Sequence, residues 1–154
     1  MMVSRFSKED ELQEARRDWL ATLVSVPASE VIAASNEFDF SVVILKGPEV
    51  GLLMINGRIH STGRPFHLGE VSLTKCVLRD DQGLLGYGHI IGRNKQQAKA
   101  IALFDLALQR NDSAEAALVR LNAWKEDVAE IDAMESEAVE ETRVDFLTMV
   151  RGES

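Results

Sequence analysis

EVSLTKCVLRDDQGLLGYGHIIGRN, residues Glu70–Asn94, is the stretch whose reading decides the fold. Its first ten residues alternate in character, with Val71, Leu73 and Val77 on one side, the period of a strand. Asp80-Asp81-Gln82-Gly83 has the composition of a hairpin turn, and Leu84–Ile91 returns as the partner strand. Gly92-Arg93-Asn94 then changes the period. Asn94 is a good helix N-cap, and Lys95–Arg110 is so apolar after Ala98 that it reads as a helix packed deeply across the sheet.

Working upstream, Phe38, Phe40, Val42 and Ile44 alternate with Asp39 and Ser41 and predict another strand. The Gly47-Pro48 pair predicts a turn into Val50–Ile55, an apolar run suited to a central strand. Four strands joined by short turns make a mainly antiparallel sheet. Before them, Leu12, Trp19, Leu20, Leu23 and Val24, with Ala15 and Arg16 between, follow a helical period over Lys8–Val24. Ser7 reads as its N-cap, with Asp10 as a short-armed capping-box partner. Pro27 closes that helix and opens a short second one through Ala28–Ala34.

Downstream, Asn111-Asp112-Ser113 breaks the buried helix. Ala114–Ala123 stays open between helix and loop, with helix favoured. A last helix over Trp124–Glu141 places Trp124, Val128, Ile131, Met134 and Ala138 on a buried stripe and carries acidic residues over much of the rest. The class is α+β, in one domain spanning residues 1–154, with 142–154 as an extended tail.

The 154 residues suit a single core that buries about two-thirds of the extended-chain surface. An apolar fraction of 45% and a charged fraction of 27% are ordinary for a globular chain. No run reaches the roughly 18 apolar residues of a membrane span, and Met1–Glu14 lacks a signal-peptide core. The lone Cys76 has no internal disulfide partner, which points to a reducing cytoplasm. The net charge of −8 argues against general nucleic-acid binding. Cations nonetheless gather in the middle of the chain, at Arg58, Arg64, Arg93 and Lys95.

Two segments are candidates for anion binding. Asn56–Gly69 is rich in glycine and carries Arg58 and Arg64, which can fork onto phosphate oxygens, with Ser61 and Thr62 as neutral donors. Its bland reading is a solvated surface loop. Arg93 and Lys95 flank a predicted helix start, where free N–H groups and the positive dipole end favour an anion. Cations fit poorly there without a negative partner, either a ligand phosphate or a carboxylate of another subunit. His60, His67 and His89 lack ligand spacing and read as structural or solvent-facing. Cys76 reads as a small buried strand residue. No catalytic set, metal site or cofactor motif is legible.

The tail Thr142–Gly152 is apolar and strand-like where chain ends are usually polar. It either closes the chain's own sheet or lies on a partner, with Phe146 and Met149 buried and Arg143 and Arg151 at polar rims. In the second case the isolated chain is expected to self-associate.

The same pieces carry a family resemblance. Thr142-Arg143-Val144-Asp145-Phe146-Leu147-Thr148-Met149-Val150-Arg151-Gly152 resembles the terminal TRVDFFTMVRG signature of the PhnG family, with Leu147 in place of an aromatic. Gly51-Leu52, Arg58, Thr62-Gly63, Pro65-Phe66 and Leu68-Gly69-Glu70 are similar to its GL…R…GTGxPFxLGE pattern. Gly83, Gly86 and Gly92-Arg93-Asn94-Lys95 are similar to its G…G…GRDK segment, and Arg17 with Trp19-Leu20 to its N-terminal helix motif. Asn94, Gln97 and Lys99 depart from the family's usual Asp, His and Glu.

The resemblance implies a subunit of the cytoplasmic carbon–phosphorus lyase core complex, with PhnI, PhnH and PhnJ as partners. It implies a part beside PhnI in forming ribose 1-methylphosphonate 5-triphosphate from ATP and phosphonate, with ATP or a phosphonate-derived polyphosphate at a shared site. Radical bond cleavage is implied for PhnJ, whose iron–sulfur cluster needs cysteines absent from this chain. The alternative class is a stand-alone, homo-oligomeric anion-binding module.

Overall fold

The computed structural model describes residues 3–58 and 63–141. Helices α1 (Val3–Ser25) and α2 (Ala28–Ser35) precede strands β1 (Val42–Arg58), β2 (Pro65–Asp80) and β3 (Leu85–Ile91), and helices α3 (Lys95–Gln109) and α4 (Ala114–Glu141) follow. The strands form one antiparallel sheet in the order β1-β2-β3. The α+β class is as read from the sequence. No helix among the described residues is long and apolar enough to cross a membrane.

The sheet has three described strands where the sequence predicts about four. Gly47-Pro48 does not reverse the chain. Instead it lies within β1 as an irregularity, between the register shifts at Ile44/Lys46 and Lys46/Glu49. Gly47 has φ +71, and a Cβ there would lie 2.4 Å from the Lys75 carbonyl oxygen. A bulge on an edge strand accommodates both this glycine and a proline that has no N–H to donate. Phe38 and Phe40 precede the strand and pack on the core, Phe38 meeting the Phe104 ring edge-on at 5.2 Å.

The strand–turn–strand–helix unit forms as predicted. Asp80 accepts hydrogen bonds from the Gln82 and Leu84 amides and so closes the β2–β3 turn. Asn94 caps α3 by accepting from the Gln97 amide at 3.0 Å. The buried side of β2 carries Thr74, Cys76, Leu78 and Asp80. Val71, Leu73 and Val77 lie on the opposite face, by the alternation of the strand. On β3, Gly86 and Gly88 have a specific task. A Cβ at Gly88 would lie 1.8 Å from the Ala98 carbonyl oxygen, and one at Gly86 would lie 2.3 Å from that of Ala102. Bare backbone at these two places lets α3 sit directly on the sheet.

Helix α3 is therefore buried on two sides. Ala98, Ala102 and Leu106 meet Cys76 and Leu78 of the sheet. Ile101 and Phe104 meet Trp19 and Leu23 of α1, Val31 of α2, and Leu121 and Trp124 of α4. A helix that is apolar around most of its circumference is stable only in such a position.

Two helix expectations need correction, the cap of the first helix and the buried stripe of the last. Helix α1 begins four residues before Ser7, so Ser7 lies inside it and is not the cap. The open segment Ala114–Ala123 is helical and continuous with the rest of α4. Along α4, Trp124 is buried and Val128 packs on the core, but Ile131 is 53% and Met134 70% exposed. At 28 residues α4 is about 42 Å long, so its apolar stripe continues after the chain's own core has ended.

Candidate functional site

The basic strand-to-helix junction is built from three elements. Gly92, with φ +115, donates its amide to the Ser72 carbonyl at 2.8 Å. The Gly92 carbonyl in turn accepts from Thr74 Oγ1 at 2.7 Å. This clamp aims the start of α3 outward beside β2. Arg93 is exposed there, with Nε 3.4 Å from Ser72 Oγ, and Lys95 follows it at the first helical position. Neither enters an ion pair among the described residues, and the first turn of α3 holds no acidic side chain.

One turn further, Lys99 adds a third cation on the same helix face. It lines an open depression of about 300 Å³ with Gln96, Ser35 and Asn36. Sequence reading missed this contribution, because only the docking of α2 beside α3 brings Asn36 and Ser35 to Lys99.

Arg58 and Arg64 are not part of this cluster. Within the expected loop Asn56–Gly69, residues 56–58 and 65–69 are strand, Asn56 pairing with His67, Gly57 with Phe66 and Arg58 with Pro65, while Ser61 and Thr62 lie outside the described residues. The β1–β2 pair is a long ribbon with Arg58 and Arg64 exposed at its far end. Ser72 stands seven positions along β2 from Pro65, which is about 23 Å of strand. The two candidate cation groups are thus two places, one at the base of the ribbon and one near its tip.

The histidines do not converge either. His67 is exposed beside Asn56, and His89 is exposed beside Lys75, while His60 lies outside the described residues. Among the described residues no three His, Cys, Asp or Glu side chains gather as a metal set. Cys76 is buried, and burial pushes its thiol pKa up despite the nearby Lys99 cation. A thiol in that state is a poor nucleophile. The tail residues Arg143, Phe146, Met149 and Arg151 also lie outside the described residues.

Two buried charge networks escaped the sequence reading, and both hold the fold. Asp105, fully buried in α3, accepts from Arg16 Nε at 3.1 Å, Trp19 Nε1 at 2.8 Å and the Tyr87 amide at 2.8 Å. Arg16 also donates to the Leu85 carbonyl and lies over the Tyr87 ring. Arg110 donates to Asp80 at 2.9 Å, Asp81 at 2.6 Å and Asp112 at 2.8 Å, and its guanidinium covers the Phe40 ring. These bonds raise the Arg110 pKa, and the bonds from Arg110 hold Asp81 and Asp112 below the usual carboxylate range. Every buried side-chain nitrogen or oxygen among the described residues has a partner.

Comparison with known proteins identifies the family. The family model described as "Phosphonate metabolism protein PhnG" matches residues 14–152. The alpha-D-ribose 1-methylphosphonate 5-triphosphate synthase subunit PhnG of Rhizobium meliloti (strain 1021) is 35% identical over 159 residues, covering 99% of this chain and 99% of that relative.

Proposed function

The chain belongs to the PhnG family of phosphonate metabolism proteins, and from that premise we propose that it is a non-autonomous subunit of a ribose 1-methylphosphonate 5-triphosphate synthase, organising the assembly around PhnI. The observation that carries this reading is the near-complete coverage of a relative that is itself a synthase subunit. The surface supports it: large apolar side chains on the β1–β2 ribbon and on α4 are exposed, while the buried polar groups are satisfied internally. PhnH and PhnJ are further partners in the same assembly, and the lone, buried Cys76 suits a cytoplasmic setting.

In this role the chain contributes binding and positioning to a reaction that joins phosphonate to the ribose of ATP with loss of adenine. Arg93 and Lys95 are the leading contacts for a polyphosphate or a partner carboxylate, because they stand exposed at a helix start with no acid in its first turn. Arg58 and Arg64 are secondary. The tail, through Arg143, Phe146, Met149 and Arg151, is a partner contact.

Reconstituted synthase distinguishes this role from direct catalysis. With the assembly intact, Arg93→Ala and Lys95→Ala are expected to raise the apparent KM for the triphosphate substrate. His67→Ala and His89→Ala are expected to leave turnover unchanged. Loss of turnover by orders of magnitude in an assembled histidine variant would place a catalytic group in this chain and overturn the organising role.

A further inference from the structure

The ribbon formed by β1 and β2 outlasts the sheet. Strand β3 pairs with β2 only from Leu73 to Arg79. From Val71 to Pro65, β2 has β1 alone as a paired strand, over about 20 Å. An isolated two-stranded ribbon is marginally stable in water at best, and its usual remedy is one apolar face packed on a core.

This ribbon is apolar on both faces. Leu52 and Met54 stand on one side and are 68% and 61% exposed, while Leu53, on the other, is 43% exposed and has Ile55 beside it. Phe66 and Leu68 are also exposed, and they extend the apolar surface as far as Gly57. A flat partner covers one face only. A ribbon with two apolar faces is matched by a cleft that closes on both.

We infer that the β1–β2 ribbon is an insertion arm, seated between two apolar walls of another synthase subunit, with carboxylates of that subunit meeting Arg58 and Arg64 at the closed end. The partner's charge follows from the arm's own. Beyond Gly51, the described part of the ribbon carries Arg58, Arg64 and Glu70, a basic end on a chain whose net charge is −8. A second copy of this chain fits the description poorly. The depressions beside Phe38, Lys99 and His89 hold about 300 Å³ each, too little for an arm two strands wide, and Ile131 and Met134 offer one helix face and not two walls. Met54 and Phe66 on the arm are of the residue types enriched at interface cores.

This inference rests on the subunit reading above, and the test separates the two. The synthase subunits are expressed together with a photo-crosslinking amino acid at position 52 or 53 of this chain, one position per face. Both positions are expected to crosslink to the same partner subunit. Crosslinks from one face only, or only between two copies of this chain, would overturn the cleft. In the same system, Leu52→Asp and Leu53→Asp are each expected to weaken retention of that partner by about tenfold or more. Arg58→Glu with Arg64→Glu should do likewise, more strongly at low salt. Full retention in all three variants would overturn the arm while leaving the subunit reading intact. Failure of the unaltered chain to associate with any other subunit would remove both.

Discussion

Gly88 is where one methyl group matters most, because the Ala98 carbonyl occupies the place of its missing Cβ. Gly88→Ala should force α3 off the sheet and lower stability by about 1–3 kcal/mol, the usual cost of overpacking. Gly69→Ala, where a Cβ meets nothing within 4 Å, is the matched control, and thermal unfolding reads both. Asp105→Asn leaves Arg16, Trp19 and the Tyr87 amide competing for a single carbonyl oxygen. Breaking such a buried pair costs about 3–5 kcal/mol. Acid stability turns on Asp81 and Asp112, whose pKa values Arg110 lowers from the ordinary 3.8. Their contribution is complete above that ordinary value and is lost as the pH falls through the lowered ones. Thermal unfolding followed from pH 5 to 2 should therefore show a smaller fall in an Asp81→Asn, Asp112→Asn variant than in the natural chain. At this scale the sequence showed which residues were unusual but not what approached them. Gly86 and Gly88 were visible as glycines, and only the position of α3 makes them necessary. Arg16 and Asp105 lie 89 residues apart, so no local pattern joins them.

Among the elements, α3 was the most legible, since its Asn94 cap and nearly continuous apolar surface are local signals. Strand β1 was the least. Gly-Pro is a turn signal, and nothing local distinguishes a reversal from a bulge on an edge strand; the pairing with β2 decides it. Helix α4 shows a different limit. Its period correctly aligns Trp124, Val128, Ile131 and Met134, but a period says which residues share a face and not what covers them. Met134→Glu should leave the stability of the isolated chain within about 0.5 kcal/mol, as for other exposed sites, because Met134 is 70% exposed. In the assembled synthase the same change should weaken association if the stripe is covered there. A large loss of stability in the isolated chain would mean that the stripe is already buried.

At the scale of the whole molecule, the chain divides into a satisfied interior and an unsatisfied surface. The interior is held by two buried charge networks and a central helix, and its buried side-chain polar atoms are paired among the described residues. The surface presents an apolar ribbon, an apolar stripe on α4 and cations at the base and tip of the ribbon. Of the candidate site, the residue types were legible early, in Arg58, Arg64, Arg93 and Lys95. Their separation into two places was not, because it depends on how far β1 and β2 run together. Such a division suits the proposed role of a subunit. The most direct test is co-expression with PhnI followed by size-exclusion chromatography at micromolar concentration. The account predicts one shared peak containing both chains, and two separate peaks, each with a single chain, would contradict it.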